Sequence, residues 1–158
     1  MSLKRPAALT AIAGLFLLMA ALPAHAQVPF TGSCTATGVP SPVSTPACTI
    51  AVPADKRLIV HRVSAQMYFN PGKLAQLAID YVTKGTSGRQ LYNPVDSGVF
   101  FGGLQVSTVS SEAFIAADAG TTLTLYFFAQ NGSSVPFGGE AFAWVTGTLV
   151  SREHDHDD

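Results

Sequence analysis

A two-residue rhythm of apolar and polar side chains runs through most of this chain, and it dictates extended structure. It is cleanest over residues 121–129, where Leu123, Leu125, Phe127 and Ala129 alternate with Thr122, Thr124, Tyr126 and Phe128. A strand turns successive side chains to opposite faces, so this pattern makes one greasy face and one polar or aromatic face. An amphipathic helix needs apolar residues three and four apart, and no such stripe occurs after residue 26.

The same rhythm predicts a strand over residues 57–69. Ile59, His61, Val63, Ala65, Met67 and Phe69 share one side, with Arg62, Ser64, Gln66 and Tyr68 on the other. Asn70-Pro71-Gly72-Lys73 is a turn signal, because proline presets φ and glycine accepts a positive one. A second strand over residues 74–83 is expected to complete an antiparallel hairpin. Residues 84–98, with Gly85, Gly88, Asn93, Pro94 and Gly98, read as a loop. Strands follow near 103–109 and 112–117, then the turn Asp118-Ala119-Gly120, then strands over 121–129 and 140–151. Residues 27–55 are rich in Pro, Thr, Ser and Gly and read as an irregular arm ending in a short strand near 48–52. Seven or eight strands joined by Gly/Pro turns predict an all-β fold: a single antiparallel β-sandwich, jelly-roll-like, with its core in residues 56–150.

The first 26 residues break the pattern and carry the parts of a cleavable signal peptide. Lys4 and Arg5 precede an apolar run over residues 7–22, and Ala24-His25-Ala26 offers small residues at both recognition positions. That run is shorter than the roughly 20 residues of a permanent span, so cleavage near Gln27 is expected, with no permanent membrane anchor. The processed chain is then periplasmic or extracellular. It keeps seven basic and ten acidic residues, a net charge of −3, which gives no electrostatic reason to bind nucleic acid. In an oxidising compartment Cys34 and Cys48 are expected to pair, since their spacing is far wider than a redox C-x-x-C.

Two segments carry a resemblance. Val52-Pro53-Ala54-Asp55-Lys56-Arg57-Leu58-Ile59-Val60, followed by Val63-Ser64-Ala65, resembles a strand of small exported bacterial β-sandwich proteins of unassigned function. Thr146-Gly147-Thr148-Leu149-Val150 is similar to their closing strand. The resemblance implies a secreted sandwich and supplies no catalytic residues.

Candidate chemistry is sparse. There is no H-E-x-x-H, no G-x-S-x-G and no phosphate-cradling glycine loop. A small hydrolase would need His61 as its base, or two carboxylates drawn from Asp80, Glu112, Asp118 and Glu140. The end of the chain, residues 151–158, reads as a disordered tail in which His154, Asp155 and His156 could hold zinc or copper. If the strands over 121–129 and 140–151 are neighbours, Tyr126, Phe128, Phe142 and Trp144 share a face with threonines beside them. Such a face suits stacking against sugars, or contact with an envelope protein or a second copy. The leading expectation is a non-enzymatic exported module that binds or assembles through that face. Asn131-Gly132-Ser133 matches a glycosylation sequon but is explained by turn chemistry.

Overall fold

The structure is a computed structural model that describes residues 27–37, 47–69, 75–129 and 140–151. The expected leader, the turn at 70–73, the sequon and the tail with His154, Asp155 and His156 lie outside the described residues. Nine strands occupy them: β1 (Val28–Thr37), β2 (Ala47–Ala51), β3 (Lys56–Phe69), β4 (Ala75–Thr83), β5 (Thr86–Tyr92), β6 (Val95–Phe101), β7 (Leu104–Ala117), β8 (Thr122–Ala129) and β9 (Glu140–Ser151). No helix is present among the described residues.

The strands form a five-stranded sheet, ordered β1-β9-β3-β7-β6, and a four-stranded sheet, ordered β2-β8-β4-β5. Every pairing is antiparallel. Four nested pairs, β1 with β9, β2 with β8, β3 with β7 and β4 with β5, describe one long ribbon folded over on itself. Wrapping that ribbon into two layers gives the expected jelly roll. β6 is an addition, running back along β7 as the sheet edge.

Inward side chains of both sheets make one core. Leu58, Val60, Val63 and Met67 of β3 are fully buried, as are Leu77 and Ile79 of β4 and Leu123, Leu125 and Phe127 of β8. β9 contributes the smaller Ala141, Ala143 and Val145. Each large member contributes about 1.5–3 kcal/mol by leaving water. At one end, backbone bonds tie down the connections: Val52 N–H to Thr121 O (2.9 Å) continues the β2–β8 ladder, Gly120 N–H to Pro53 O (3.0 Å) joins two crossovers, and Asp118 N–H to Val82 O (2.8 Å) links the end of β7 to β4 of the other sheet.

Several expectations need correction. The arm is not irregular: it supplies β1 and β2, which lie at the edges of different sheets. The Cys34–Cys48 bridge, with Cα atoms 5.7 Å apart, therefore ties one sheet to the other. β3 and β4 are not a hairpin, because β3 pairs with β7 and β9 whereas β4 pairs with β5 and β8. The span 84–98 is mostly strand. Its true turn is Lys84-Gly85, both with positive φ, joining β4 to β5. The two short strands expected over 103–117 are the single strand β7.

His61 does not face the core. A β-bulge falls between Val60 and Arg62: Val60 pairs with Gly147 of β9, and Arg62 pairs with the adjacent Thr146. One extra residue in β3 flips the alternation, so Leu58 and Val60 point inward, His61 and Arg62 are both exposed, and Val63 points inward again. β9 accepts the bulge at Gly147, where a Cβ would collide with the carbonyl oxygen of Ile59 and sit 3.0 Å from Ile59 C and Val60 Cα.

Candidate binding surfaces

The groups offered for catalysis are scattered. The imidazole Nε2 of His61 lies 2.9 Å from Thr148 Oγ1 on the outer surface, not toward the core. Asp80 is on the outside of the four-stranded sheet, bonded to Arg89. Asp118 sits in the β7–β8 turn, where its carboxylate accepts the Gly85 N–H at 2.9 Å and lies 3.5 Å from Arg57. Glu112 pairs across from Arg62, level with Thr146 of β9, and Glu140 lies six residues further along that strand. At about 3.3 Å per residue, those two carboxylates are about 20 Å apart. Glu112 and Glu140 are thus well beyond the spacing a glycosidase uses. Among the described residues no group of three or more His, Cys, Asp or Glu could hold a metal ion.

The aromatic platform divides. β8 lies between β2 and β4, and β9 lies between β1 and β3, so the two strands belong to different sheets. Tyr126 and Phe128 alternate with the buried Leu125 and Phe127, which puts them on the outside of the four-stranded sheet. Phe142 and Trp144 alternate with buried Ala141, Ala143 and Val145, on the outside of the five-stranded sheet. The four candidates thus form two half-sites facing opposite ways.

On the five-stranded sheet, Phe142 and Trp144 extend into a row of four rings. Their planes are 21° apart with centroids at 6.3 Å. Tyr68 meets Phe142 edge to face at 6.4 Å, and Phe101 meets Tyr68 at 6.0 Å. These are favourable aromatic geometries. Neutral residues flank the row: Ser33 and Ser64 pair across from Trp144, Thr35 and Gln66 across from Phe142, and Thr108 across from Gln66. Tyr68 lay on the expected polar side of its strand. Phe101 could not be placed from sequence, because β6 was not recognised.

β6 continues this surface, and all seven of its residues are exposed. Val95 and Phe101 are each 70% exposed, Phe100 60% and Val99 56%. Its register against β7 breaks between Asp96 and Phe100. In the break, Ser97 Oγ donates to Val106 O at 2.7 Å, the Gly98 N–H bonds Asp96 Oδ1 at 2.9 Å, and the Val99 N–H bonds Ser97 Oγ at 3.2 Å. Backbone donors satisfied in this way blunt the edge against strand addition. What β6 offers is apolar side chain.

The four-stranded sheet presents a different surface. Asp80 of β4 and Arg89 of β5 face each other across the ladder. Their bond is bidentate, Nε to Oδ1 at 2.5 Å and Nη2 to Oδ2 at 2.7 Å. The hydrogen bonds from Arg89 are the largest influence on the Asp80 carboxyl, and with the Arg89 charge they hold it below the usual carboxylate range against the opposing effect of burial. The guanidinium lies 5.4 Å from the centre of the Tyr126 ring. Beside the pair is an open depression of about 370 Å³ lined by Ser87, Gly88, Thr122, Thr124 and Tyr81.

No helix among the described residues is long and apolar enough to cross a membrane. No protein-family model and no curated protein matches the chain. Two solved virus structures show a weak similarity to the chain. The virus-like particle of the extra small virus of the giant freshwater prawn Macrobrachium rosenbergii is 12% identical over 79% of this chain and 81% of that chain, with a TM-score of 0.26. Desmodium yellow mottle tymovirus is 12% identical over 96% of this chain and 94% of that chain, with a TM-score of 0.27. Likeness at this level says nothing of what this chain does or binds.

Proposed function

We propose that this chain is an exported, non-enzymatic assembly module whose contact surface is the aromatic face of the five-stranded sheet, with a second copy of itself as the partner. The observation that carries the reading is the unbroken run from Trp144 through Phe142, Tyr68 and Phe101 into the exposed β6. Area supports it. At 150–250 Å² per aromatic side chain, the exposed parts of Val95, Val99, Phe101 and Trp144 sum to about 430 Å². That lies within the range of a monomer's largest apolar patch, and a polar rim would supply the rest of the roughly 800 Å² per partner of a standard interface. Charge supports a like partner. Ser33, Thr35, Ser64, Gln66 and Thr108 beside the rings are neutral, and charged groups of this face, Arg62, Glu112 and Glu140, carry both signs. Export is supported by the leader-like residues 1–26 and by the Cys34–Cys48 bridge, which fits an oxidising compartment.

Sedimentation of the mature chain from about 1 μM to 1 mM tests this reading. The expected result is a concentration-dependent dimer, with Trp144 emission shifting to the blue as it forms. A Val99→Ser, Phe101→Ser variant is expected to stay monomeric with its thermal transition intact. A wild-type chain that remains monomeric throughout overturns the proposal, as does a dimer that the double variant does not weaken.

A further inference from the structure

We infer that the outside of the four-stranded sheet carries a second binding site, for a neutral sugar, built on the Asp80–Arg89 pair and the hydroxyls beside it. The argument begins with fixed geometry. Asp80 stands across from Arg89 on one side and from Thr124 of β8 on the other, so three strands deliver polar groups to one spot. Arg89 is held twice, by the bidentate bond to Asp80 and by its place over Tyr126. A long side chain pinned in this way pays little further entropy when it meets a ligand.

The chemistry then narrows the ligand. The carboxylate and the guanidinium cancel each other's charge, so an anion or a cation would have to break the bidentate pair to be bound well. A neutral molecule does not. Each Asp80 oxygen accepts one bond from Arg89 and keeps a further lone-pair site, while two of the five guanidinium N–H groups serve Asp80. That leaves donors and acceptors side by side in one plane, the pattern that matches neighbouring hydroxyls on a sugar ring. Ser87, Thr122 and Thr124 add hydroxyls around the rim. The Tyr126 ring, faced by the guanidinium, holds Arg89 in place beside the depression.

The depression also has room. Its volume of about 370 Å³ lies at the small end of ligand sites, suited to one sugar unit. Asp80, Val82, Ser87, Arg89, Thr122 and Thr124 line it. An exposed cross-strand ion pair contributes little stability. The pair can therefore be removed without unfolding the chain, which makes the inference testable. The site faces away from the aromatic row, so it stands or falls independently of the assembly reading.

The test is a titration of the isotope-labelled mature chain with neutral monosaccharides, followed by backbone amide shifts. A panel of glucose, galactose, mannose and N-acetylglucosamine serves as the probe, with acetate and sulfate as charged comparators. The expected result is saturable shifts confined to Asp80, Ser87, Arg89, Thr124 and Tyr126 for at least one sugar. Binding is expected to weaken at least tenfold in Arg89→Gln and in Asp80→Asn, each with an otherwise unchanged spectrum. Methyl glycosides and short oligosaccharides of the best sugar separate a free sugar from a glycan terminus, and tighter binding of either supports the site. No shift with any sugar at about 100 mM overturns the inference. So does binding that survives Arg89→Gln, or an anion that binds as well as the sugars.

Discussion

Replacing Gly147 with alanine tests the bend that exposes His61. Gly147 pairs across from Val60 of β3 and Phe30 of β1, in the strand between them. The added methyl would press on the Ile59 carbonyl oxygen and lie 3.0 Å from Ile59 C and Val60 Cα. These are backbone atoms of the bulge and cannot rotate away. Restoring ordinary contact means parting β9 from β3 by about 1 Å. That loosens two or three ladder bonds, each contributing about 1 kcal/mol. It also disturbs the packing of Val60 and Val145, which are at most 1% exposed, at about 1–3 kcal/mol. The expected loss is about 3–5 kcal/mol, a large share of the 5–15 kcal/mol that holds a domain together. Urea unfolding of the oxidised mature chain measures it, with unchanged slope as the check on two-state behaviour. Gly102→Ala is the comparison: its φ is +59° and no other described group lies within 4 Å, so only the left-handed backbone is penalised, at about 1–2 kcal/mol. If Gly147→Ala costs no more than Gly102→Ala, the bulge does not press on β9 and the reasoning fails.

Two further perturbations probe the sandwich itself. Replacing Cys34 and Cys48 together by alanine opens the link between β1 and β2, whose ends are 14 residues apart, and is expected to cost about 3 kcal/mol in thermal or urea melts. A loss under 1 kcal/mol would mean that the sheet edges hold without the staple. Tyr92 is 6% exposed, and among the described residues its hydroxyl has no hydrogen-bond partner. Tyr92→Phe is therefore expected to gain about 1 kcal/mol, and a loss of that size would show that the hydroxyl is satisfied. Burial, and then Tyr81, push the Tyr92 phenol up to about 12. The folded chain thus keeps a proton that the unfolded chain sheds above about pH 10. Stability from this group is complete below pH 10 and is lost as pH rises toward 12. Alkaline melts of Tyr92→Phe should lack that decline.

The jelly roll was legible because a strand's period of two survives errors about its neighbours. Leu123, Leu125 and Phe127 point inward whichever strand lies beside them. Two local features were hidden. β5 and β6 were mistaken for loop because Gly85, Gly88, Asn93, Pro94 and Gly98 look like turn residues, although Gly88 is a strand residue making room for Tyr81. The flip at His61 was hidden because a bulge is set by the partner strand. It shows only when Val60 and Arg62 are matched to Gly147 and Thr146, some 85 residues away. A glycine between two threonines gives no warning that a backbone will lie against it.

The pairing of β8 with β9 was misleading and the grouping within each strand was legible for the same reason. Periodicity says which side chains of one strand share a face, and on that point Tyr126 with Phe128 and Phe142 with Trp144 were grouped correctly. It does not say which strands are adjacent. Strands β8 and β9 are consecutive, which suggests a hairpin, but the nested ribbon sends consecutive strands to opposite layers except at its fold, where β4 and β5 pair, and at the added β6. One platform thereby becomes two surfaces with different chemistry. The β9 half gains Tyr68 and Phe101 and becomes an apolar row running to a bare edge. The β8 half gains Asp80 and Arg89 and becomes polar. A variant that disables one half should leave the other untouched, because the core lies between them. If Val99→Ser with Phe101→Ser abolished sugar binding as well as assembly, the two halves would be acting as one surface and this partition of the molecule would be wrong.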